Sequence, residues 1–535
     1  MEMEPRLEPL PDIANLSADK LRTLLLKVYA VATELAKGYA LQREEIARLK
    51  NLPKRPKFKS SGLEKRAEAA KKKGTPPRRR GKTRPNLKID EVRIIKMPRP
   101  PGAVSHGYTS FVVQDLTIRT NVIEFQCEQW LLPDKKTVVT APLPEGFEGE
   151  GHFGPEVRRT ILAHYHKAQT TSPRLLEFLQ MYGIDISKRQ VTRILIDDNE
   201  PFIKECNEVL RAALSSCAWI TVDDTGAVHK AKNGYTTQIG NAHFTWFRTT
   251  ESKSRTNFLS LLRTGYSDYV ITDDALAYMR DQKLANYLIN SLADHPDKYF
   301  ADLESWNAHL AKVGIISRKV SAKSAEIATQ GAIWGSVRHH NLLNDSVIIS
   351  DDAGQFNVGN HALCWVHCER LIHKLDAFTE AHRKLKARIE DRIWKFFFDL
   401  KAYQLAPTPR HKAKLAAWFE RIFTTKTGFA ALDEQLERIY KNKEELLKVL
   451  DHPKIPLHTN SSENDIRTIV TRRRISGGTR SDDGRTSRDT FLSLMKTCMK
   501  LGISFYDYLG ARLKVPGAPD VPWLPDLVRH RCQSG

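Results

Sequence analysis

The sequence predicts an α/β protein whose mixed core begins near residue 218, preceded by a long amphipathic helix, a basic arm, a small β-rich piece and a helical hairpin. Three observations lead there. Apolar, buried-type strand runs at 218–226 (AWITVDDTG) and 346–354 (SVIISDDAG) alternate with helical stretches. Residues 17–49 carry a heptad repeat, and the charge surplus concentrates in residues 51–100.

A chain of 535 residues is too long for one core and implies roughly three domains at about 150 residues each. With 41% hydrophobic and 27% charged residues, most of it is expected to be globular. A formal net charge of +21 implies a polyanionic partner, nucleic acid first among them, although a ribosomal or membrane-surface protein would share it. The seven cysteines are odd in number and show no framework spacing, which suits a reducing compartment. The N-terminus (MEMEPRLEPLPD) is unlike a signal peptide, and no run of about 18 apolar residues predicts a membrane span.

In chain order, residues 1–50 hold the heptad helix. Leu21, Leu25, Val28, Ala32, Leu35, Tyr39, Gln42, Ile46 and Leu49 alternate four and three apart, with Ser17 placed as N-cap. That seam predicts a coiled coil joining two or more chains; a helix packed on its own protein is the plainer reading. Residues 51–100 hold eighteen Lys and Arg against four Asp and Glu, so +14 of the +21. Low apolar content makes this a flexible arm. Lys71, Lys72, Lys73, Arg78, Arg79 and Arg80 are its candidate phosphate contacts, with a solubilising linker as the alternative. Residues 101–150 alternate apolar and polar (SFVVQDLTIRT, VIEFQCEQWLL, KTVVTA) around a Pro133-Asp134 turn and predict a small β-rich domain.

Residues 151–210 read as helices. In TSPRLLEFLQMYGIDISKRQVTRILI one helix ends near Tyr182-Gly183 and a second starts after Ser187, carrying Lys188, Arg189 and Arg193. This is a helix-turn-helix candidate for DNA contact; an ordinary helical hairpin has the same pattern.

The core is expected in two parts, 211–367 and 456–511, around a helical insertion at 368–455, with a Pro-rich tail at 512–535. Two strands read as ending in acids, one in Asp223-Asp224 and one in Asp351-Asp352. Alone, each Asp is an ordinary turn or helix cap. HTNSSENDIRTIVTRRR then begins a helix with Glu463 in its first turn and Arg467, Arg472, Arg473 and Arg474 following, so an acid stands beside a phosphate-seeking run. Three carboxylates are what phosphodiester chemistry requires. Two divalent ions about 3.5–4 Å apart activate an oxygen nucleophile and stabilise the leaving oxygen. Magnesium prefers such oxygen ligands.

These stretches together resemble the bacterial insertion-sequence transposases of the insertion sequence sixty-six (TnpC-type) family. The matching pieces are ITVDDTG at 220–226, SDDAGQF at 350–356, HALCWVHCER at 361–370 and HTNSSENDIR at 458–467. The resemblance runs from about residue 17 to residue 510. It implies an RNase H-like catalytic core and DDE-type DNA strand transfer by Asp223, Asp351 and Glu463 with two Mg²⁺ (or Mn²⁺) ions. It further implies double-stranded DNA partners (terminal inverted repeats and target), a homo-oligomer of dimer size or larger, accessory proteins encoded by the same element, no membrane, and a cytoplasmic, nucleoid-associated location in a bacterium.

In that comparison the Cys364–His367 string follows the second Asp. A zinc site with His361 and Cys368 is the weaker reading, since no second Cys/His pair follows at finger spacing; packing suits Cys364 and Trp365 better, and His367 is a candidate DNA contact. The chain departs from many relatives in lacking a Cys-rich finger after the coiled coil, having only Cys127 between residues 51 and 200. A near-duplicate, YVITDDALAYM, makes Asp273 (with Asp274) a competitor for the second acid. Asp224 and Asp352 are next-door alternatives on the opposite strand face. Two other functions compete: a catalytically silent DNA-binding regulator or scaffold derived from a transposase, and a structure-specific nuclease on the same core.

Overall fold

The computed structural model describes residues 89–104, 106–147, 152–317 and 320–534, with positions 19, 22, 23, 25, 26, 28 and 29. Those seven positions are helical and exposed. The rest of the expected coiled coil, and the arm with Lys71, Lys72, Lys73, Arg78, Arg79 and Arg80, lie outside the described residues. The chain divides into two units, Met1–Leu116 and Thr117–Gly535, each taken by itself. In the first, residues 89–104 and 106–116 form no helix or strand and leave Val92, Ile95 and Phe111 exposed.

The second unit opens with β1 (Gln129–Leu131) and β2 (Val138–Thr140), an antiparallel hairpin with Trp130 opposite Val139. The Pro133-Asp134 turn forms as expected: the Asp134 carboxylate accepts the N–H groups of Lys136 and Thr137, both at 3.0 Å. The rest of the expected β-rich piece does not: 108–128 carries no strand. Alternation specifies a strand only where a neighbour and a core accept it, and all six hairpin residues are exposed.

Four helices follow: α1 (Pro155–His166), α2 (Ser172–Met181), α3 (Lys188–Ile196) and α4 (Glu200–Ser216). The α2–α3 turn lies where the sequence placed it. Ser187 caps α3 and Gln190 reaches back to the Ser187 N–H at 2.8 Å, a capping box. Leu162, Leu175, Leu179, Val191 and Leu195 belong to the same hydrophobic core as the central sheet.

That sheet has the order β5-β4-β3-β8-β9. β3 (Trp219–His229), β4 (Lys232–Gly240) and β5 (Thr245–Thr250) form an antiparallel meander, and β8 (Val347–Ser350) and β9 (His361–Leu363) add in parallel on the other side of β3. Between β5 and β8 lie α5 (Arg255–Leu262), β6 (Tyr269–Val270), α6 (Asp273–Asp281), α7 (Asn286–Asp294), β7 (Tyr299–Phe300), α8 (Leu303–Lys312) and α9 (Ala322–His339). β6 pairs only with β7, outside the main sheet. α9 is buried nearly all round. An added Cβ at its Gly335 would strike the Val270 carbonyl oxygen. Gly335→Ala is therefore expected to cost roughly 1–3 kcal/mol by overpacking, read as a lowered denaturation midpoint; an unchanged midpoint would show that α9 can shift away.

The insertion is helical, as its sequence suggested: α10 (Trp365–His373), α11 (Glu380–Leu405), α12 (Pro409–Phe423), α13 (Ala430–Lys441) and the short α14 (Lys443–Leu446). It has its own core, built on Trp365, Phe396, Phe419 and Leu432 and seated on Val347 and Ile349 of β8. The chain then returns through α15 (Asn460–Ser476), α16 (Asp482–Leu501) and α17 (Phe505–Arg512). The Pro-rich tail ends in α18 (Leu524–Ser534), which docks on α4 with Leu524 and Val528 fully buried. Cys217 and Cys532, 315 residues apart, are disulfide-bonded there, a pairing that the cysteine spacing did not reveal. Among the described residues no helix is long and apolar enough to cross a membrane.

Candidate active site

The register of the central sheet brings two of the candidate acids together. β3 pairs with β8 through Trp219↔Val347, Ile220↔Ile348 and Thr221↔Ile349. The ladder ends there; Asp223 lies two residues beyond Thr221 and Asp351 two beyond Ile349, just past the end of β8, and the Asp351 charge acts on the Asp223 carboxyl. This is the carboxyl end of parallel strands, where open α/β sheets leave a crevice. Contrary to expectation β3 does not end at Asp223; it continues to His229, paired only with β4. Asp351 does follow the end of β8, where its carboxylate accepts the Ala353 N–H at 3.1 Å.

Their sequence neighbours have other hydrogen-bond partners, although the Asp351 charge also acts on Asp224. Asp352 accepts from Arg438 at 2.6 Å and Asn442 at 3.2 Å on α13. Asp224 accepts from Gln355 at 2.8 Å. Asp273, the competitor, begins α6 as an exposed first-turn acid, and Asp274 pairs with Arg338 at 3.4 Å. Neither joins Asp223, because β6 lies outside the main sheet.

Glu463 arrives through α15. Ser462 donates to the Thr221 hydroxyl at 2.6 Å, which fixes the first turn of α15 against β3 two residues before Asp223. α10 completes the frame. The Cys364 N–H bonds the Ser350 carbonyl (2.9 Å), the Trp365 N–H bonds the Leu457 carbonyl (2.9 Å), and the Thr459 N–H bonds the Cys364 sulfur (3.3 Å). One turn apart on α10, His367 and Arg370 both face Glu463: Arg370 Nη1 at 3.0 Å and His367 Nε2 at 3.4 Å from its Oε1. Arg370 was not singled out in the sequence. Its i,i+3 spacing from His367 was the signal, legible only once Glu463 is known to sit opposite.

The electrostatics mark a cluster short of positive charge. Burial pushes the Asp223 carboxyl up to about 7, and the nearby Asp351 and Asp224 charges add to it, against the Asp224 N–H and His367. Burial also raises Asp224, opposed by Gln355 and Lys253. A hydrogen bond with Cys364 raises His367, helped by Asp351. The Cys364 thiol is lowered: burial opposes this, but hydrogen bonds from His367 and Thr459 outweigh it. His361 bonds Ser350 at 2.8 Å, and burial lowers it to about 4. Cys364 and Trp365 thus serve packing and alignment.

The Asp223 shift has a measurable consequence. Between 3.8 and about 7 the folded chain keeps a proton that the unfolded chain has released, so metal-free stability falls as pH rises through that window. Asp223→Asn removes the penalty. In EDTA the variant is expected to gain about 1–2 kcal/mol over the parent between pH 5 and pH 8, discounted for residual solvent contact. An equal difference at both pH values, by thermal melting, would refute the burial argument.

The candidate cations divide. Lys188, Arg189 and Arg193 are exposed on α3, Arg193 pairing with Asp197 at 3.2 Å. Arg467 and Arg474 are exposed on α15. Arg473 is half-buried and donates to the Gly226 carbonyl. Arg472 is a correction: only 5% exposed, it stacks on Tyr165 and donates to the Tyr165 and Thr170 carbonyls at 3.3 and 3.4 Å. The helical period turns it inward to hold α1, away from any phosphate.

Two comparisons bear on this arrangement. The sequence model of the family described as "Transposase IS66 family" matches residues 342–487, a span that includes Asp351, Arg370 and Glu463 and leaves out Asp223. Over 314 residues the chain is 49% identical to the uncharacterized protein y4jO of Sinorhizobium fredii (strain NBRC 101917 / NGR234), a match covering 59% of this chain and 97% of that protein.

Proposed function

The chain belongs to the IS66 family of transposases, and from that premise we propose that it is a DDE-type DNA transposase, cutting at the terminal repeats of an insertion sequence and joining the freed 3′-hydroxyl to target DNA. The observation that carries this reading is the parallel pairing of β3 with β8, which leaves Asp223 and Asp351 near each other at the carboxyl ends of the strands, while the first turn of α15, which holds Glu463, is bonded to β3 at Thr221 and Glu463 itself to α10. The sheet order, three antiparallel strands followed by two parallel ones, supports an RNase H-like core.

The donor set fits Mg²⁺ or Mn²⁺, two per site. It consists of carboxylate oxygens, and a buried Asp raised by its acidic neighbours is a group that a cation would relieve. When bound, such ions supply Lewis-acid stabilisation of charge on the attacking and departing oxygens. Asp223, Asp351 and Glu463 would hold them. Arg370 and His367 orient the Glu463 carboxylate: both approach Oε1, and Arg370 Nη2 also reaches Oε2 at 3.5 Å. Arg467 and Arg474, exposed on the same helix, offer charge to the DNA backbone. Lys188, Arg189 and Arg193 on α3 suit base-edge or phosphate contact by the helix-turn-helix mode, and the arm with Lys71–Lys73 and Arg78–Arg80 suits salt-dependent phosphate binding. The heptad seam suits a homo-oligomer. Place of action is proposed as the bacterial cytoplasm, on the nucleoid, with accessory proteins of the same element.

The test is a supercoiled plasmid bearing the element's ends, incubated with the protein and Mg²⁺. Nicking at the ends followed by joining to a second DNA supports transposition. Nicking without joining points to a nuclease, and binding without nicking points to a regulator.

A further inference from the structure

The β3–β4 hairpin tip lies at the far end of β3 from Asp223, and its surroundings are not explained by the carboxylate site. There, a cavity of about 200 Å³ is lined by His229, Lys230, Lys232, Glu251 and Arg485, among others. It is a built feature. After α15 the Gly-rich loop runs beside β3: the Thr479 N–H donates to the Val228 carbonyl at 3.0 Å, and the Lys230 N–H to the Thr479 carbonyl at 2.8 Å. A side chain at Gly478 would collide with the Val228 carbonyl, so glycine there permits the approach.

Asp482 organises the cations. It takes His229 Nε2 at 3.1 Å, Lys230 Nζ at 2.5 Å and Arg485 Nη2 at 2.9 Å, while His229 Nδ1 is 2.8 Å from the Thr479 hydroxyl. One carboxylate cannot neutralise Lys230 and Arg485 together, and Lys232 has no ion pair among the described residues. Exposed Arg474 and Arg480 flank the loop. Glu251 and Asp483 are the remaining acids, so Lys230, Lys232, Arg474, Arg480 and Arg485 outnumber Glu251, Asp482 and Asp483.

The direction of α15 connects this cavity to the acids. Its start is bonded to Thr221, Arg473 to Gly226, and the loop after it to Val228 and Lys230, so helix and strand run side by side in the same sense. Along its open face come Glu463, Arg467 and Arg474. From Asp223 to His229 the strand advances about 20 Å, the length of about six base pairs at 3.4 Å each.

We propose that this cavity is a DNA phosphate-binding site, holding the backbone of the duplex about six base pairs from the bond cut at Asp223, Asp351 and Glu463. The inference rests on the strand-cutting function proposed above. It assigns a track along α15 and a direction for the duplex, with Asp482 as the residue that aims the cations.

Binding is tested with a fluorescein-labelled 40-base-pair duplex ending in the element's terminal repeat, titrated at several salt concentrations. Lys230→Ala/Lys232→Ala is expected to weaken binding about tenfold or more near 150 mM salt and to flatten the log–log salt slope by about two. Ethylation interference on the unmodified protein provides a check that needs no variant: modified phosphates about six base pairs from the cleavage point should be excluded from the bound fraction. If the parent binds and cuts the duplex but the double variant keeps its affinity and slope, or interference is absent at that distance, the cavity assignment is wrong and the transposase reading stands. If the parent neither binds nor cuts, the transposase reading fails and this inference with it.

Discussion

Asp223→Asn, Asp351→Asn and Glu463→Gln are each expected to lower strand cleavage roughly 10³-fold or more, a loss of about 4 kcal/mol of transition-state stabilisation. Each substitution keeps the side-chain shape and removes one anionic oxygen from the set that would hold divalent ions. Folding should survive, because none of the three is needed to satisfy a buried cation: Asp351 bonds a backbone N–H, Asp223 carries a burial penalty, and the partners of Glu463 reach solvent. Asp273→Asn is the matched control. It sits exposed at the start of α6, and its variant should cut as the parent does. The assay is single-turnover nicking of an end-bearing duplex in Mg²⁺ and in Mn²⁺. Cleavage retained by any of the three would remove that residue from the mechanism, and cleavage lost in Asp273→Asn would revive the competitor.

Arg512→Ala is expected to destabilise the fold by about 3–5 kcal/mol, the largest stability effect foreseen for any one residue discussed. Glu205 on α4 is 1% exposed. Arg512 donates to both of its oxygens, at 2.9 and 2.8 Å, Tyr508 donates at 2.8 Å, and the Leu524 N–H at 3.1 Å closes the set. Arg512 also donates to the Val521 and Pro522 carbonyls, at 2.7 and 2.9 Å, so it ties α17 to the segment leading into α18. Truncation leaves a buried carboxylate with one charge partner gone. Pairing it with Glu205→Met should recover much of the loss, since an apolar replacement of a buried ion pair is often close to neutral. Urea denaturation midpoints of the single and double variants decide this; equal midpoints for Arg512→Ala and the parent would mean the pair contributes little.

Local signals were the legible part. The start of α3 after Ser187, the Pro133-Asp134 turn, the strand runs within β3 and β8, and the insertion's helices lie where their residues placed them, although β3 runs on past Asp224 to His229. Each depends on contacts within a few residues. The misread parts depended on distant partners. Residues 108–128 alternate like strands and form none, for want of a sheet beside them. The tail after 512, read as Pro-rich chain, ends in a helix because α4 offers Leu524 and Val528 a buried seat. Arg472 looked like its neighbours in a basic run, yet the 100° step of a helix turns it into the core.

The acids divide in the same way. Sequence alone picked out three carboxylates at strand and helix ends and a repeated Asp-Asp pair, because strand patterning and first-turn placement are local properties. It preferred Asp351 to Asp273 for the Cys364–His367 string that follows it closely, yet both follow short apolar runs, and nothing local says which run pairs with β3. In the tertiary structure β8, and not β6, pairs with β3, so Asp351 rather than Asp273 lies near Asp223, and α10 brings Arg370 to Glu463, 93 residues away in the chain. Strand pairing and cross-helix contacts join residues far apart in the chain, and they are selected by burial of a shared core.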